Sequence, residues 1–144
     1  MTHTLAGSKF YLSLISFLLT AKQHLAATSA EYDLSGIQAI TLLMLDEHTT
    51  CPMKSLGQLF RCDASNITGI IDGLENKGLV VRRSDPKDRR IKTISVCPAG
   101  QKVRQQILQR LEHTGSFLLD PLSQSEAEQF VCTIEKLVPN KKPA

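Results

Sequence analysis

The sequence has 144 residues, a mass of 15.9 kDa and a formal net charge of +3 at pH 7. This length corresponds to one domain, and 42% hydrophobic with 22% charged residues is typical of a globular protein, which argues against a disordered or fibrous chain. Only 5% of the residues are aromatic and none is Trp, so aromatic clefts for bases or carbohydrates are not expected. Basic residues outnumber acidic ones between Lys54 and Lys92, and this segment is therefore predicted to bind a polyanion.

The apolar run from Phe10 to Ala21 resembles the core of a signal peptide. It is too short to span a bilayer, and Lys22 and His24 continue it as a helix instead of a cleavage site. We therefore predict a first helix over residues 8–30. Apolar side chains surround most of this helix, more than a chain of this size can bury by itself, so a second subunit is expected to cover it.

Two further helices are indicated by residues that start or stop them. Ser35 and Gln38 form a capping box that begins the second helix, which is predicted to end near His48. Pro52 then breaks the chain. A short third helix follows over residues 54–61, with its apolar side chains directed inward.

The fourth helix begins after Asp63, whose carboxylate can cap it, and it stops at Gly78. Its buried face is predicted to consist of Ile67, Ile70, Ile71 and Leu74. Its opposite face is predicted to consist of Ser65, Asn66, Thr68, Gly69, Asp72 and Gly73. Small polar groups can reach base edges and phosphates, and the positive end of the helix dipole favours a phosphate nearby. An ordinary solvated helix face is the alternative interpretation.

The periodicity then changes to that of strands, and a single hairpin of residues 79–83 and 91–96 is predicted around a polar turn. Three cations and two carboxylates lie in this turn, within the sequence Asp85-Pro86-Lys87-Asp88-Arg89-Arg90. Asp88 is near enough in sequence to hold the guanidinium of Arg90 extended, and an extended Arg suits a narrow minor groove. A charged, soluble turn is the alternative. Two short helices followed by a hairpin predict a winged helix-turn-helix.

Two helices complete the chain, the first beginning at Pro98 and interrupted by Pro121. A second capping box, formed by Ser123 and Glu126, begins the last helix. The predicted fold class is therefore mainly α with one small β-hairpin.

These features resemble the MarR family of bacterial transcription regulators. The Asp-Pro-x-Asp-Arg-Arg turn after Gly-Leu-Val is the most specific part, and the resemblance follows the element order of nearly the whole chain. It is carried by four segments, namely Leu56-Gly-Gln-Leu-Phe60, Asn66-Ile-Thr68, Leu74-Glu-Asn-Lys-Gly-Leu-Val80 and Arg83-Ser-Asp-Pro-Lys-Asp-Arg-Arg90.

The resemblance implies a single domain over residues 1–144, with a winged helix-turn-helix over 34–97 and dimerisation helices over 1–33 and 98–144. It implies a cytoplasmic homodimer that binds a pseudo-palindromic double-stranded DNA operator sequence-specifically and acts as a ligand-responsive transcriptional repressor. Two alternatives stay open: a winged-helix module that docks onto proteins without binding DNA, and a redox-responsive regulator that uses a cysteine.

By this resemblance, the major-groove residues are Ser65, Asn66, Thr68 and Gly69, and the wing-tip pair is Asp88 and Arg90. The charge distribution adds Arg89 at the wing tip and cations expected on or near phosphates, which are Lys54, Lys77, Arg82, Arg83 and Lys87. The chain departs from the family at three positions. Gly69 and Gly73 stand where relatives often carry long or basic side chains, and Arg61 stands where relatives usually have Gly.

The resemblance also implies a small aromatic or carboxylated effector, which in relatives enters a crevice between the dimerisation helices and the DNA-binding lobe. The candidate lining residues are Phe17, Ala21, His24, Leu25 and Met44. Ordinary core packing is the alternative for each of them. His24 could pair with a ligand carboxylate or be an interior histidine.

Neither a metal nor another cofactor is predicted. The four cysteines, Cys51, Cys62, Cys97 and Cys132, form no CxxC pair, and no His lies at metal-site spacing. Some relatives sense oxidants through a cysteine in the first helix, which this chain lacks. No GxSxG, phosphate-binding loop or paired-carboxylate pattern occurs at a useful spacing, so the chain is not expected to be an enzyme.

Overall fold

The computed structural model describes residues 7–138, without the side chains of residues 114–117. The described helices are α1 (Gly7–Ala30), α2 (Gly36–Met44), α3 (Met53–Phe60), α4 (Ala64–Asn76), α5 (Pro98–Leu119) and α6 (Gln124–Leu137). The described strands are β1 (Cys51–Pro52), β2 (Val80–Ser84) and β3 (Lys92–Val96). The predicted fold class is thereby confirmed as mainly helical with a small sheet. The ends of the two predicted dimerisation segments, 1–6 and 139–144, lie outside the described residues.

Both predicted capping boxes are confirmed. The Ser35 hydroxyl accepts a hydrogen bond from the Gln38 backbone N–H at 3.3 Å, and Gln38 Oε1 accepts from the Ser35 N–H at 3.0 Å. Ser123 and Glu126 repeat the arrangement at the start of α6. The sequence placed the end of α2 near His48, but the helix ends at Met44 because the next residue is extended.

The sheet has three strands, whereas the sequence predicted only a hairpin. Its order is β1-β3-β2 and both pairings are antiparallel. In β1, Cys51 lies opposite Ile94 and Pro52 opposite Thr93. Pro52 lacks an N–H donor and is tolerated because β1 is an edge strand. A two-residue strand that contains Pro has no periodicity of its own, so only its partner defines it.

The hydrophobic core lies where α2, α3, α4, the sheet and α5 meet. Its largest fully buried side chains include Leu42, Leu56, Ile71, Ile94 and Ile107, one from each of the packed elements. Burying a side chain of this size contributes about 1.5–3 kcal/mol. The core therefore fixes α4 and the two hairpin strands against α2 and α5, which determines how the exposed face of α4 is oriented relative to the wing.

Helix α1 packs on α5 and α2 but leaves much of its apolar surface exposed. Arg110 of α5 forms an ion pair with Glu31 just after α1, with Nε 3.0 Å from Oε2. The rings of Phe17 and Phe130 join α1 to α6 edge-to-face, with centroids 5.5 Å apart. Within residues 7–138, no helix combines the length and hydropathy needed to cross a bilayer.

Candidate nucleic-acid interface

The turn between α3 and α4 brings the two helices into a helix-turn-helix. Arg61 ends α3 in the left-handed region, with φ 48° and ψ 45°. The Cys62 N–H donates to the carbonyl of Gly57 at 3.1 Å, which closes the turn. Arg61 therefore occupies the backbone conformation that glycine adopts most easily, and it stands at one of the three positions where the sequence departs from the resemblance described above.

Asp63 begins α4 as predicted. Its Oδ1 accepts hydrogen bonds from the Asn66 backbone N–H at 2.8 Å and from the Ser65 hydroxyl at 3.0 Å. Both bonds hold the pKa of the Asp63 carboxyl below its usual value, and the bond from the Asn66 N–H lowers that pKa the most. The carboxylate thus satisfies one N-terminal amide of α4, and the dipole at this helix end favours its negative charge.

Helix α4 buries one face and exposes another. Ile67, Ile71 and Leu74 are buried, and the exposed residues on the opposite side include Ser65, Asn66, Gly69 and Asp72. Thr68 is half-buried, and its hydroxyl donates to the carbonyl of Ala64 at 2.8 Å. The structure therefore places the four residues predicted to lie in the major groove along one side of the same helix.

Gly73 does not belong to this exposed face, and the prediction that it did was wrong. A Cβ atom at Gly73 would lie 2.3 Å from Nε2 of Gln38, so the α4 backbone directly contacts a side chain of α2. Gln38 is held there by its capping-box bond to the Ser35 N–H. The glycine leaves room for the amide end of Gln38, which a Cβ atom at position 73 would displace.

Arg82 is held within the protein by two carboxylates of α4. Its Nη2 pairs with Asp72 and lies 3.6 Å from Oε2 of Glu75, and its backbone N–H donates to Glu75 Oε1 at 3.1 Å. Its side chain is only 23% exposed. Arg82 was predicted to lie near phosphates, but these contacts tie β2 to α4 and neutralise the carboxylate on the exposed face.

Lys77 is also held within the protein, although it was predicted to lie near phosphates. Its Nζ pairs with the carboxylate of Asp33, in the turn after α1, and this hydrogen bond and the charge of Lys77 lower the pKa of Asp33. The partner is 44 residues away in sequence, so no local pattern indicated the pair.

The tip of the wing is organised by two aspartates. Asp85 Oδ1 accepts from the backbone N–H groups of Lys87 and Asp88, at 2.7 and 3.3 Å. Asp88 Oδ1 accepts from the Arg90 backbone N–H at 3.0 Å. The sequence predicted that Asp88 would hold the guanidinium of Arg90, which was wrong: the carboxylate caps the backbone. The effect is to fix the turn and to leave the Arg90 head group exposed.

Five of the predicted cations form no ion pair with another residue in the described part of the chain, and each is exposed. They are Lys54 on α3 together with Arg83, Lys87, Arg89 and Arg90 on the hairpin. An open groove of about 970 Å³ lies between α3, the start of α4 and the wing, and its lining includes Lys54, Thr68 and Arg90. Unpaired positive charge thus surrounds the polar face of α4.

The residues predicted to hold an effector lie in two different environments. Phe17, Ala21, His24 and Leu25 are half-buried along α1, and Phe17 packs against Phe130. Met44 instead lines a separate groove of about 410 Å³ beside Glu47 and Arg104. The larger groove contains none of the five. A common effector site for all five residues remains a prediction.

In the described part of the chain, no three His, Cys, Asp or Glu residues lie close enough together to bind one metal ion. All four cysteines are free thiols. Cys51 is buried at the edge of the core, and burial raises the pKa of its thiol to about 11. Cys132 is exposed on α6.

Comparison with known proteins gives consistent results. Residues 36–92 match the model of the MarR family. YwhA of Bacillus subtilis, named an uncharacterized HTH-type transcriptional regulator, is 22% identical over 125 residues, which cover 87% of this chain and 89% of that protein. A protein from Pseudomonas aeruginosa, named a probable transcriptional regulator, is 33% identical, with a TM-score of 0.68 over 86% of this chain and 96% of its own.

The fold is also shared with a variant of MarR from E. coli that was solved in complex with operator DNA. The TM-score is 0.76, with 18% identity, over 91% of this chain and 94% of that one. The relatives from Bacillus subtilis and Pseudomonas aeruginosa are named transcriptional regulators, which agrees with the prediction that the chain is not an enzyme.

Proposed function

Since this chain belongs to the MarR family of transcriptional regulators, we propose that it acts in the cytoplasm as a homodimeric, sequence-specific repressor. Its target is a pseudo-palindromic double-stranded DNA operator, from which an effector releases it. The observation that carries the proposal is the set of unpaired, exposed cations around the neutral polar face of α4. A protein-docking wing would have no need to leave these charges unpaired and grouped.

In this proposal, α4 lies in a major groove with Ser65, Asn66, Thr68 and Gly69 toward the base edges. Arg90 and Arg89, on a turn fixed by Asp88, enter the adjacent minor groove, where the negative potential favours an arginine. Lys54, Arg83 and Lys87 lie near phosphates, while Lys77 and Arg82 stabilise the lobe through their ion pairs. Two-fold symmetry then places the half-sites about 10 bp apart.

Exposed apolar side chains support the homodimer. Leu12, Ile15, Leu18 and Leu19 of α1 are each more than half exposed, and α6 exposes Val131, Ile134 and Leu137. Apolar surface grouped in this way on a small domain marks an interaction site. The segments that contribute it, 1–33 and 98–144, are those proposed as the dimerisation region.

The proposed effector is a small aromatic or carboxylated molecule bound where α1 meets the DNA-binding lobe. The half-burial of His24 and Leu25 on α1 supports this place, because a ligand there would contact both the dimer helices and the lobe. The redox alternative finds no support in Cys51, whose raised pKa keeps the thiol protonated and unreactive near neutral pH.

Fluorescence anisotropy tests the DNA-binding part of the proposal. The full chain is titrated onto a labelled duplex from upstream of its own coding region, with a shuffled duplex of equal length as competitor and Arg90→Ala as the matched variant. We expect binding that survives the competitor, falls steeply with salt and weakens in the variant. Absence of binding to either duplex at low salt, with an intact dimer, would support the protein-docking alternative instead.

If the two duplexes compete equally, the operator lies elsewhere, and enrichment of sites from a random duplex library replaces the upstream DNA. Failure of that enrichment would refute sequence-specific recognition. Once an operator is known, loss of the anisotropy signal on addition of salicylate-like aromatic carboxylates tests for the effector, with His24→Ala as the variant expected to respond less.

A further inference from the structure

The exposed face of α4 carries no positive side chain. Ser65, Asn66 and Gly69 are neutral, and the carboxylate of Asp72 is paired with Arg82. The cations of the site belong to α3 and the hairpin, on either side of this face. Contacts of α4 with DNA must therefore come from short side chains and from the helix backbone.

The two glycines of α4 differ in what the fold requires of them. At Gly73 a Cβ atom would lie 2.3 Å from Nε2 of Gln38, so a larger residue has no room without a shift of that side chain. At Gly69 no described residue, apart from its two chain neighbours and the nearby backbone of α4 itself, has an atom within 4 Å of the position that a Cβ atom would take. The packing of the protein explains Gly73 and leaves Gly69 unexplained.

Gly69 is also unfavourable for the helix that contains it. It lies in the middle of the thirteen-residue α4, where glycine destabilises a helix relative to alanine because it loses more backbone entropy. Its φ does not fall in the left-handed region, so the backbone conformation at this position does not require glycine either. Alanine would fit the folded protein and would favour the helix.

We propose that Gly69 determines operator specificity by allowing the backbone of α4 to contact the base edges. This inference rests on the DNA-binding function proposed above. Glycine offers only C–H groups on this side of the helix, and the C5-methyl of thymine is the apolar group on the major-groove edge. A thymine methyl in each half-site occupies the space in which a Cβ atom would lie. Asn66 and Thr68 then read the bases beside it.

The test compares Gly69→Ala with Gly73→Ala on operators enriched from a random duplex library by the unaltered full chain. We expect Gly69→Ala to raise Tm by about 2–6 °C and to weaken operator binding roughly tenfold, while binding to random duplex is unchanged. Gly73→Ala should bring no gain in Tm, because its Cβ would displace Gln38. A Gly69→Ala variant that is more stable but binds its operator less well would show that a DNA contact is lost, because damage to the fold would lower the stability as well.

Replacing thymines by uracil one at a time removes the methyl and identifies its position. The unaltered protein should bind the critical uracil duplex about threefold more weakly, since an apolar contact is lost. Gly69→Ala should bind the same uracil duplex better than the thymine duplex, because its methyl fills the vacated space.

The results distinguish this inference from the function on which it rests. If the unaltered chain selects an operator and Gly69→Ala binds that operator equally well, the role of Gly69 is refuted and the proposed function stands. The same holds if Gly69→Ala weakens binding equally to operator and random duplex, or if uracil gives no rescue at any position. If the unaltered chain selects no operator, both the function and the inference fail.

Discussion

Replacing Arg82 by Met and replacing Arg90 by Met should affect different properties of the protein. Both substitutions remove one positive charge and keep an unbranched, flexible side chain, which is shorter than that of Arg. Arg82 is 23% exposed and pairs with Asp72 and Glu75, which are 52% and 39% exposed, whereas Arg90 is exposed and forms no ion pair with another described residue. We therefore expect Arg82→Met to lower stability and Arg90→Met to lower DNA affinity.

The expected magnitudes follow from this exposure. Ion pairs open to solvent contribute about 0.2–1 kcal/mol each, so losing two of them should lower the free energy of unfolding by about 0.5–2 kcal/mol. Arg90→Met should change that free energy by less than about 0.5 kcal/mol. It should weaken operator binding by about 1–3 kcal/mol, because an arginine in the minor groove is lost.

Urea unfolding followed by circular dichroism at one protein concentration measures the first quantity, and anisotropy measures the second. As a control, Asp72→Asn with Glu75→Gln in the Arg82→Met background should restore part of the lost stability, since no unpaired carboxylates remain. If Arg82→Met were as stable as the unaltered protein, or if Arg90→Met destabilised the fold, the separation of these cations into structural and DNA-facing groups would be refuted.

Three further substitutions test individual contacts. Arg61→Gly should raise the free energy of unfolding, measured in urea, by about 0.5–1 kcal/mol, because a residue other than glycine is strained at φ 48°. Glycine also gives the unfolded chain more freedom, which offsets part of this gain. An unchanged or lower free energy of unfolding would contradict the strain. Asp63→Ala should lower Tm at neutral pH. Because the pKa of Asp63 is lowered in the folded state, its contribution is full above pH 3.8 and is lost as the pH falls through the folded pKa, so the two proteins should converge in acid and a constant gap would count against the cap. Leu18→Glu places a charge in the apolar face of α1 and should convert the proposed dimer into monomers, which light scattering measures; a dimer that persists would exclude this face from the interface.

The sequence predicts most elements of the fold because their signals are local. The capping pairs at Ser35 and Ser123, the cap at Asp63 and the stop at Gly78 each depend on residues within five positions of one another. At Gly78, with φ 70°, the N–H of Leu79 bonds to the carbonyl of Leu74, as is usual for a glycine after a helix.

What the sequence does not predict depends on contacts between distant residues. Strand β1 is defined only by its pairing with β3, more than 40 residues later. The role of Gly73 depends on a side chain from α2, and the pairing of Lys77 depends on Asp33. Charge and spacing indicated which residues are basic, but they could not indicate which of those cations find a partner in the fold.

The proposed function places α4 in the major groove and the wing in the minor groove of a two-fold symmetric site, and chemical footprinting of the bound operator tests both placements in one experiment. Dimethyl sulfate reports the major groove at guanine N7 and the minor groove at adenine N3. Protection of guanines in two half-sites about 10 bp apart, with flanking adenines protected by the unaltered protein but not by Arg90→Ala, is the predicted result. Protection in a single groove, or flanking adenines that Arg90→Ala protects equally well, would contradict it.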